Sequence, residues 1–249
     1  MFINPPVSTR SEVLQNLESK GFCLIDSPSF SKLMGISLTH LSELSGFWDN
    51  LRDDHFLNDH GKYRLRRHSS YVVANGKTTL IPHRPHWQSI DYNALHGGIV
   101  RQFEPIDQQL NGNPLWNQLI ADISTFFHEH INSEPWFTEA HQFRITTQGG
   151  IGRPTPEGAH RDGVDFIAII LINRHLIKGG ETRLFNLHGN DGIRFTLDQP
   201  WSVLLLNDHK IIHETTPIQD ATQKGYRDTL VLTYRRNGFQ DSQNSNDSS

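Results

Sequence analysis

Val13, Leu14 and Leu17 share one face of a helical repeat, Thr9 or Ser11 stands where a cap is needed, and Gly21 ends the run. Phe22-Cys23-Leu24-Ile25 follows as the kind of short apolar stretch a buried strand uses. Leu33, Ile36, Leu38, Leu41 and Leu44, set among Ser and Thr, predict a second helix from Ser31 to about Leu44. Residues 45–100 are polar, with scattered aromatics and histidines, and predict long loops punctuated by short strands such as Ser70-Tyr71-Val72-Val73. Asn113-Pro114 is a strong helix start, and Leu115, Leu119, Ile120, Ile123, Phe126 and Phe127 continue it at helical spacing.

After Pro135 the period changes. Short β-type runs at His141–Thr147, Asp165–Ile172, Glu181–Leu187, Ile193–Leu197, Trp201–Leu206 and Tyr226–Tyr234 are separated by Gly, Asn, Asp and Pro. Strands this close, without helices between them, predict an antiparallel sandwich or barrel and argue against a parallel α/β sheet. The expected architecture is mainly β with packing helices: one domain over 1–236, helical and loop-rich over 1–135, with a cupin-like jelly-roll core over 136–236. The tail 237–249 is Asn, Ser, Asp and Gln with little to bury, and is expected to be disordered.

Composition narrows the function classes. In 249 residues, 23 Lys+Arg against 27 Asp+Glu give a formal charge of −4, so no global positive field recruits nucleic acid or anionic lipid. No run reaches the ~18 to 20 apolar residues of a membrane span. Met1 to Arg10 lacks the apolar core of a signal peptide. A lone Cys23 excludes an intrachain disulfide or cysteine-based zinc cluster, and a cytoplasmic enzyme acting on a small molecule is expected, with neither nucleic acid nor membrane as partner. The unusual feature is 15 histidines.

His160-Arg161-Asp162 sets an imidazole and a carboxylate two positions apart, on one side of an extended segment, able to grip one metal ion. With this many histidines about 1.6 such pairs arise by chance, so context matters. The pair follows the turn-prone Gly149-Gly150-Ile151-Gly152-Arg153-Pro154 and precedes the apolar strand from Phe166 to Ile172, where a barrel's mouth would lie. His213, after a further strand, completes a candidate facial triad that leaves adjacent octahedral positions open for ligands; the alternative is an ordinary half-buried histidine. His209 and His213 are four apart, as in a helical zinc pair, but their β-rich surroundings and the missing Glu weaken a zinc-hydrolase reading. Arg227 and Thr229 share one face of the apolar strand ending at Tyr234. An inward Arg227 would need an anion; an outward one would be solvated or in a salt bridge.

In this order, His160-x-Asp162, His213 and Arg227-x-Thr229 resemble the pattern of the Fe(II)/2-oxoglutarate-dependent dioxygenases. Arg64-x-Arg66, Arg101-Gln102-Phe103, His141-Gln142-x-Arg144, Gly179-Gly180, His213-x-x-Thr216-Pro217 and Arg227-Asp228 resemble more closely the bacterial free-amino-acid hydroxylase subfamily that includes an L-isoleucine dioxygenase. The resemblance runs from about Gly21 to Tyr234. It implies a double-stranded β-helix, Fe(II) on His160, Asp162 and His213, and 2-oxoglutarate on the metal with its distal carboxylate on Arg227 and Thr229. It also implies O2-dependent hydroxylation of a small substrate, a free L-amino acid, with release of succinate and CO2. Asp165 is then the candidate for the substrate ammonium, and Arg64, Arg66, Arg101, Gln142 and Arg144 for carboxylates. Trp87 and Tyr92 either line the pocket or pack the loop beneath it. The competing class is a non-catalytic cupin-like module whose three ligands hold a structural or ligand-binding metal.

Overall fold

The computed structural model describes residues 9–57, 61–93, 95, 97–220, 222 and 224–242. Helix α1 (Arg10–Lys20) starts at a Thr9 cap that forms a reciprocal capping box with Glu12, and it stops at Gly21. Strand β1 (Phe22–Ile25) follows. The single helix expected over 31–44 is two helices, α2 (Ser27–Met34) and α3 (Leu38–Glu43). Gly35, at φ 65°, ends the first in the left-handed region, and the Ser37 side chain caps the second, so local turn chemistry overrides the leucine periodicity. A 3-10 turn (Leu44–Trp48) leads to β2 (Arg52–Asp53), β3 (Arg64–Ala74) and β4 (Lys77–Leu80). The loop-rich stretch thus holds an eleven-residue strand where only a short one was expected.

The short α4 (Gln108–Asn111) precedes α5 (Pro114–Ile131), which Asn113 caps as expected. Then come β5 (Trp136–Thr146), β6 (Phe166–His175), β7 (Lys178–Gly179), β8 (Thr182–Asn186) and β9 (Gly192–Phe195). The chain closes with β10 (Val203–Asn207), β11 (Ile211–Thr215), β12 (Ile218–Gln219) and β13 (Tyr226–Arg235). No helix is long and apolar enough to cross a membrane among the described residues.

One antiparallel eight-stranded sheet runs β1-β10-β6-β13-β5-β3-β2, with β4 on β3; opposite it lie the three-stranded β11-β8-β9 and the pair β12-β7. This is the mainly antiparallel jelly-roll arrangement expected. Strand alternation gives the large sheet two chemistries. On one face Ala168, Ile170, Leu230, Leu232 and Tyr234 pack against Leu119, Ile123 and Phe127 of α5 in the main core. Each fully buried large side chain there contributes about 1.5–3 kcal/mol, so the helix layer fixes which way every long strand faces. On the other face Ile167, Ile169 and Leu171 join Leu204, Leu206 and Leu184 in a smaller core beneath the second sheet. Beside that core the same face turns polar and lines a cavity.

The chain does not leave the fold at position 236. Phe239 meets the Phe137 ring edge-on at 5.2 Å, and the Gln240 amide reaches the carbonyls of Asp162 and Gly163, each at 2.8 Å. Residues 237–242 therefore pack onto the domain instead of forming the start of a disordered tail; the rest of the expected tail, 243–249, and residues 1–8 lie outside the described residues.

Candidate active site

His160 and His213 are brought together by backbone pairing. The His160 amide donates to the His213 carbonyl at 3.0 Å, and the His213 amide returns the bond at 2.9 Å. Such a pair places side chains side by side, and the ring centroids lie 4.6 Å apart. Asp162, two residues on, reaches both: Oδ1 is 3.6 Å from His160 Nε2 and Oδ2 is 3.8 Å from His213 Nε2. One ligand atom from each of the three lies within 4.8 Å of the other two.

The surroundings orient this trio. His160 Nδ1 donates to the Gly158 carbonyl at 2.9 Å, which makes Nε2 the ring nitrogen that faces Asp162. Asp208 accepts the amides of Asp162, Gly163 and Val164 at 2.8–3.1 Å and so fixes the turn that carries the carboxylate. Gly163, at φ 74°, is required there, because a Cβ would sit 2.4 Å from the Tyr92 ring. Tyr92 thus packs the loop, with Arg161 over its ring at 5.1 Å, and Trp87 is outside the cavity wall. Gln88 donates to Asp162 Oδ1 at 3.2 Å.

Electrostatics without an ion follow from this crowding. Burial opposes charge on His160, but the hydrogen bond to Asp162 and the carboxylates of Glu157 and Asp162 win and push it up to about 10. Burial, with His160 beside it, pushes His213 down to about 4. Burial also works against the Asp162 carboxylate, yet His160 and His213 hold it below the usual carboxylate range. Two imidazoles and a carboxylate competing for protons in so small a volume form a donor set that a divalent cation would satisfy.

Arg227 and Thr229 line the same cavity. Arg227 is only 3% exposed, and its Nε and one terminal nitrogen have no hydrogen-bond partner among the described residues. Burial and nearby Arg174 push its pKa down to about 10, the mark of a guanidinium without its anion. The solvated or salt-bridged alternative is therefore not what the fold contains, and the site fits a carboxylate there.

Of the six residues proposed for substrate contact, the two on β5 are sorted by strand parity. The β5–β13 register pairs Ile145 with Arg227, Phe143 with Thr229, His141 with Val231 and Glu139 with Thr233, so odd-numbered β5 positions face the cavity. Gln142 and Arg144 face the opposite way. Arg144 is spent on Asp228, with bonds of 2.7 and 2.8 Å, and on Asp49 at 3.0 Å. Asp165 is also outside the wall: it accepts from Arg236 Nη2 at 2.7 Å, from the Arg236 amide at 2.9 Å and from His209 at 3.2 Å. Arg66 and Arg101 do line the cavity, together with Arg64, which is neutralised by Asp54 at 2.7 Å.

Sequence reasoning missed Glu139, His86, Glu157, Gln88 and Gln240, all in the wall. Parity along β5 was the available signal for Glu139, since it is even-spaced from the quoted His141. A second group, His68, His86, Glu139 and His141, also has ligand atoms close enough for a metal. One nitrogen of each histidine is already engaged. His68 and His86 hydrogen-bond the two oxygens of Glu139 at 3.1 and 3.2 Å. Arg66 can only donate, so His141 Nδ1 accepts from it at 2.7 Å, and a neutral His141 then carries its proton on Nε2. That group is a hydrogen-bonded carboxylate cradle.

The profile of the family described as 2OG-Fe dioxygenase matches residues 45–233. An L-isoleucine-4-hydroxylase of Bacillus thuringiensis is 27% identical over 90% of this chain and 94% of its own length. A 3(1)-hydroxy-L-isoleucine 4-dioxygenase of Pantoea ananatis is 25% identical over 65% of this chain and 68% of its own. Among solved structures, a bsmA homolog of Methylobium petroleophilum is 44% identical with a TM-score of 0.89, covering 96% of this chain and 97% of that one. The IDO structure of B. thuringiensis, at 21% identity and a TM-score of 0.73 over 94% of this chain and all of that one, has the same fold. The chain belongs to the 2OG-Fe dioxygenase family, enzymes that use Fe(II), 2-oxoglutarate and O2 on a jelly-roll fold.

Proposed function

We propose that His160, Asp162 and His213 hold the Fe(II), that Arg227 with Thr229 holds the distal carboxylate of 2-oxoglutarate, and that the enzyme hydroxylates a free L-amino acid. The observation that carries this reading is a buried guanidinium, two of whose nitrogens have no partner among the described residues, on the wall that also carries the His/Asp/His trio. A cupin-like binding module has no need of such a group. When bound, the metal and keto acid supply the oxidising chemistry, with succinate and CO2 as co-products.

The chain's own residues do the rest. With the metal bound, His160 and His213 would ligate as neutral imidazoles, the Gly158 carbonyl holding the remaining His160 proton on Nδ1. Gln88 and the Asp208-bound turn hold the Asp162 carboxylate in place. Arg227 orients the keto acid by a charge-assisted contact, and Val164, Ile169 and Val231 in the wall exclude water around the reacting carbons. The amino-acid substrate is supported by what the hydroxylases of B. thuringiensis and P. ananatis are named for. A cytoplasmic location, carried by the single cysteine, belongs to the same proposal.

The test is succinate release with Fe(II) and 2-oxoglutarate against the twenty standard L-amino acids, with product masses recorded. A hydroxylated free amino acid is expected. Conversion only of peptides, or of acids lacking an ammonium group, overturns the substrate while leaving the iron chemistry intact.

A further inference from the structure

We propose that Glu139 receives the α-ammonium of the substrate and Arg101, beside Arg66, its α-carboxylate, so that the cavity reads the two charges carried by a single carbon. This rests on the amino-acid reading above and adds the residues that would enforce it.

Glu139 is 6% exposed and lies in the cavity wall. Oε1 accepts from His68 at 3.1 Å and from Arg84 at 3.2 Å, whereas among the described residues Oε2 accepts only from His86, at 3.2 Å. Burial penalises its charge, but His86 and His68 hold it well below the usual carboxylate range. A carboxylate kept ionised, fixed in plane by three donors and left with spare acceptor capacity on one oxygen is a preorganised ammonium receptor.

Arg101 is 3% exposed, and its Nε and one terminal nitrogen have no partner among the described residues. The keto acid's distal carboxylate is taken by Arg227, and Asp54 is taken by Arg64 at 2.7 Å and Arg66 at 3.6 Å, so neither supplies its anion. Backbone pairing brings Arg101 to the Glu139 side of the same cavity wall: His86 and Arg101 exchange both amide-to-carbonyl bonds at 2.9 Å, and the His86 ring bonds Glu139. An α-amino acid needs this adjacency, because its ammonium and carboxylate share one carbon. Arg66, stacked 3.6 Å over the Phe103 ring and bonded to His141, adds a second positive group whose Nε is also unpartnered among the described residues. Asp165, the acid nearest the metal ligands in sequence, cannot serve, because Arg236 and His209 already occupy it.

The experiment compares each convertible L-amino acid with its des-amino counterpart, for example L-isoleucine with 3-methylpentanoate and L-leucine with 4-methylpentanoate, in the wild type and in Glu139→Gln. The wild type should prefer the amino acid by roughly 10- to 100-fold in kcat/KM, the range of a hydrogen-bonded charge left unpaired. Glu139→Gln should raise the amino-acid KM at least about 10-fold, far more than the 2-oxoglutarate KM, and should collapse the preference for the amino group. Should Glu139→Gln fail to fold, the wild-type comparison decides alone: equal kcat/KM for both members of a pair overturns the proposal. Retention of both KM and preference in a folded Glu139→Gln overturns the role of Glu139 while the amino-acid reading stands. Turnover of no amino acid at all removes that reading and this one with it.

Discussion

The metal end and the amino-acid end of the cavity draw on different sheets, β11 of the three-stranded sheet and β3 and β5 of the eight-stranded one, and are assembled differently. At the metal end His160 and Asp162 are two residues apart, and His213 is joined to them by a backbone bridge, so a local motif plus one contact makes the centre. At the other end no two key groups are neighbours in sequence. Arg66 comes from β3, Glu139 from β5, and His86 and Arg101 from the connection between β4 and α4; strand register and one hairpin-like pairing bring them together. The first end is a motif that the fold presents. The second is a pattern that exists only once the fold has formed, and substrate choice is written there.

The largest expected effects lie at the metal end. His213→Ala should weaken Fe(II) binding, read by titration, by more than the ~10–100-fold that loss of a mere supporting contact costs, and should abolish turnover. Full activity at limiting iron would detach His213 from the centre. Arg227→Ala comes next. Removing one partner of a buried charge pair costs roughly 2–5 kcal/mol, so the 2-oxoglutarate KM should rise about 30-fold or more while iron binding persists. An unchanged KM would move the anchor to another guanidinium.

A third pair of substitutions sharpens the contrast between the cavity and the opposite face of the large sheet. Arg144→Ala faces the helix side and breaks a half-buried ion pair with Asp228, so it should lower Tm with no selective change in either KM. Arg101→Met, facing the cavity, should raise the amino-acid KM with a smaller loss of Tm. The reverse outcome would mean that the assignment of Arg144 away from the cavity and of Arg101 to its wall is wrong.

Parity also explains how much was legible in the sequence. The jelly roll, α1, α5 and the His160-x-Asp162 pair follow from periodicity and spacing, because each depends on residues close in sequence; spacing left the role of His213 and the direction of Arg227 open, and only the resemblance to the dioxygenases implied the full trio and an inward Arg227. The contact set failed at Gln142, Arg144 and Asp165 for two physical reasons. A strand's period of two makes a one-residue error a change of face, and Gln142 and Arg144 fall on the wrong one. Asp165 is polar and correctly situated along the chain, but sequence proximity does not reveal that Arg236 arrives from the far end of β13 to claim it. Gln240 shows the same blindness in reverse: a polar tail residue is useful because two carbonyls await it.

The smallest effect is a pH dependence at the substrate end. Burial opposes charge on Asp54, but Arg66 and Arg64 hold its pKa below the ordinary Asp range. A carboxyl depressed in the folded state contributes stability above its unfolded pKa, near 4, and that contribution is lost as pH falls through the folded value. Thermal unfolding followed from about pH 6 down to pH 3 should show a Tm that declines more steeply for the wild type than for Asp54→Asn. Parallel curves would remove the Arg64–Asp54 pair from the acid response.

The central claim is that one cavity couples consumption of 2-oxoglutarate at the His160–Asp162–His213 end to oxygen insertion in an amino acid held at the other. Turnover under 18O2 of an L-amino acid that the panel identifies tests it directly. The account predicts succinate and hydroxylated amino acid in equal amounts, with labelled oxygen in both, and neither product from His213→Ala. Hydroxylated amino acid formed without succinate, or formed undiminished by His213→Ala, would contradict it.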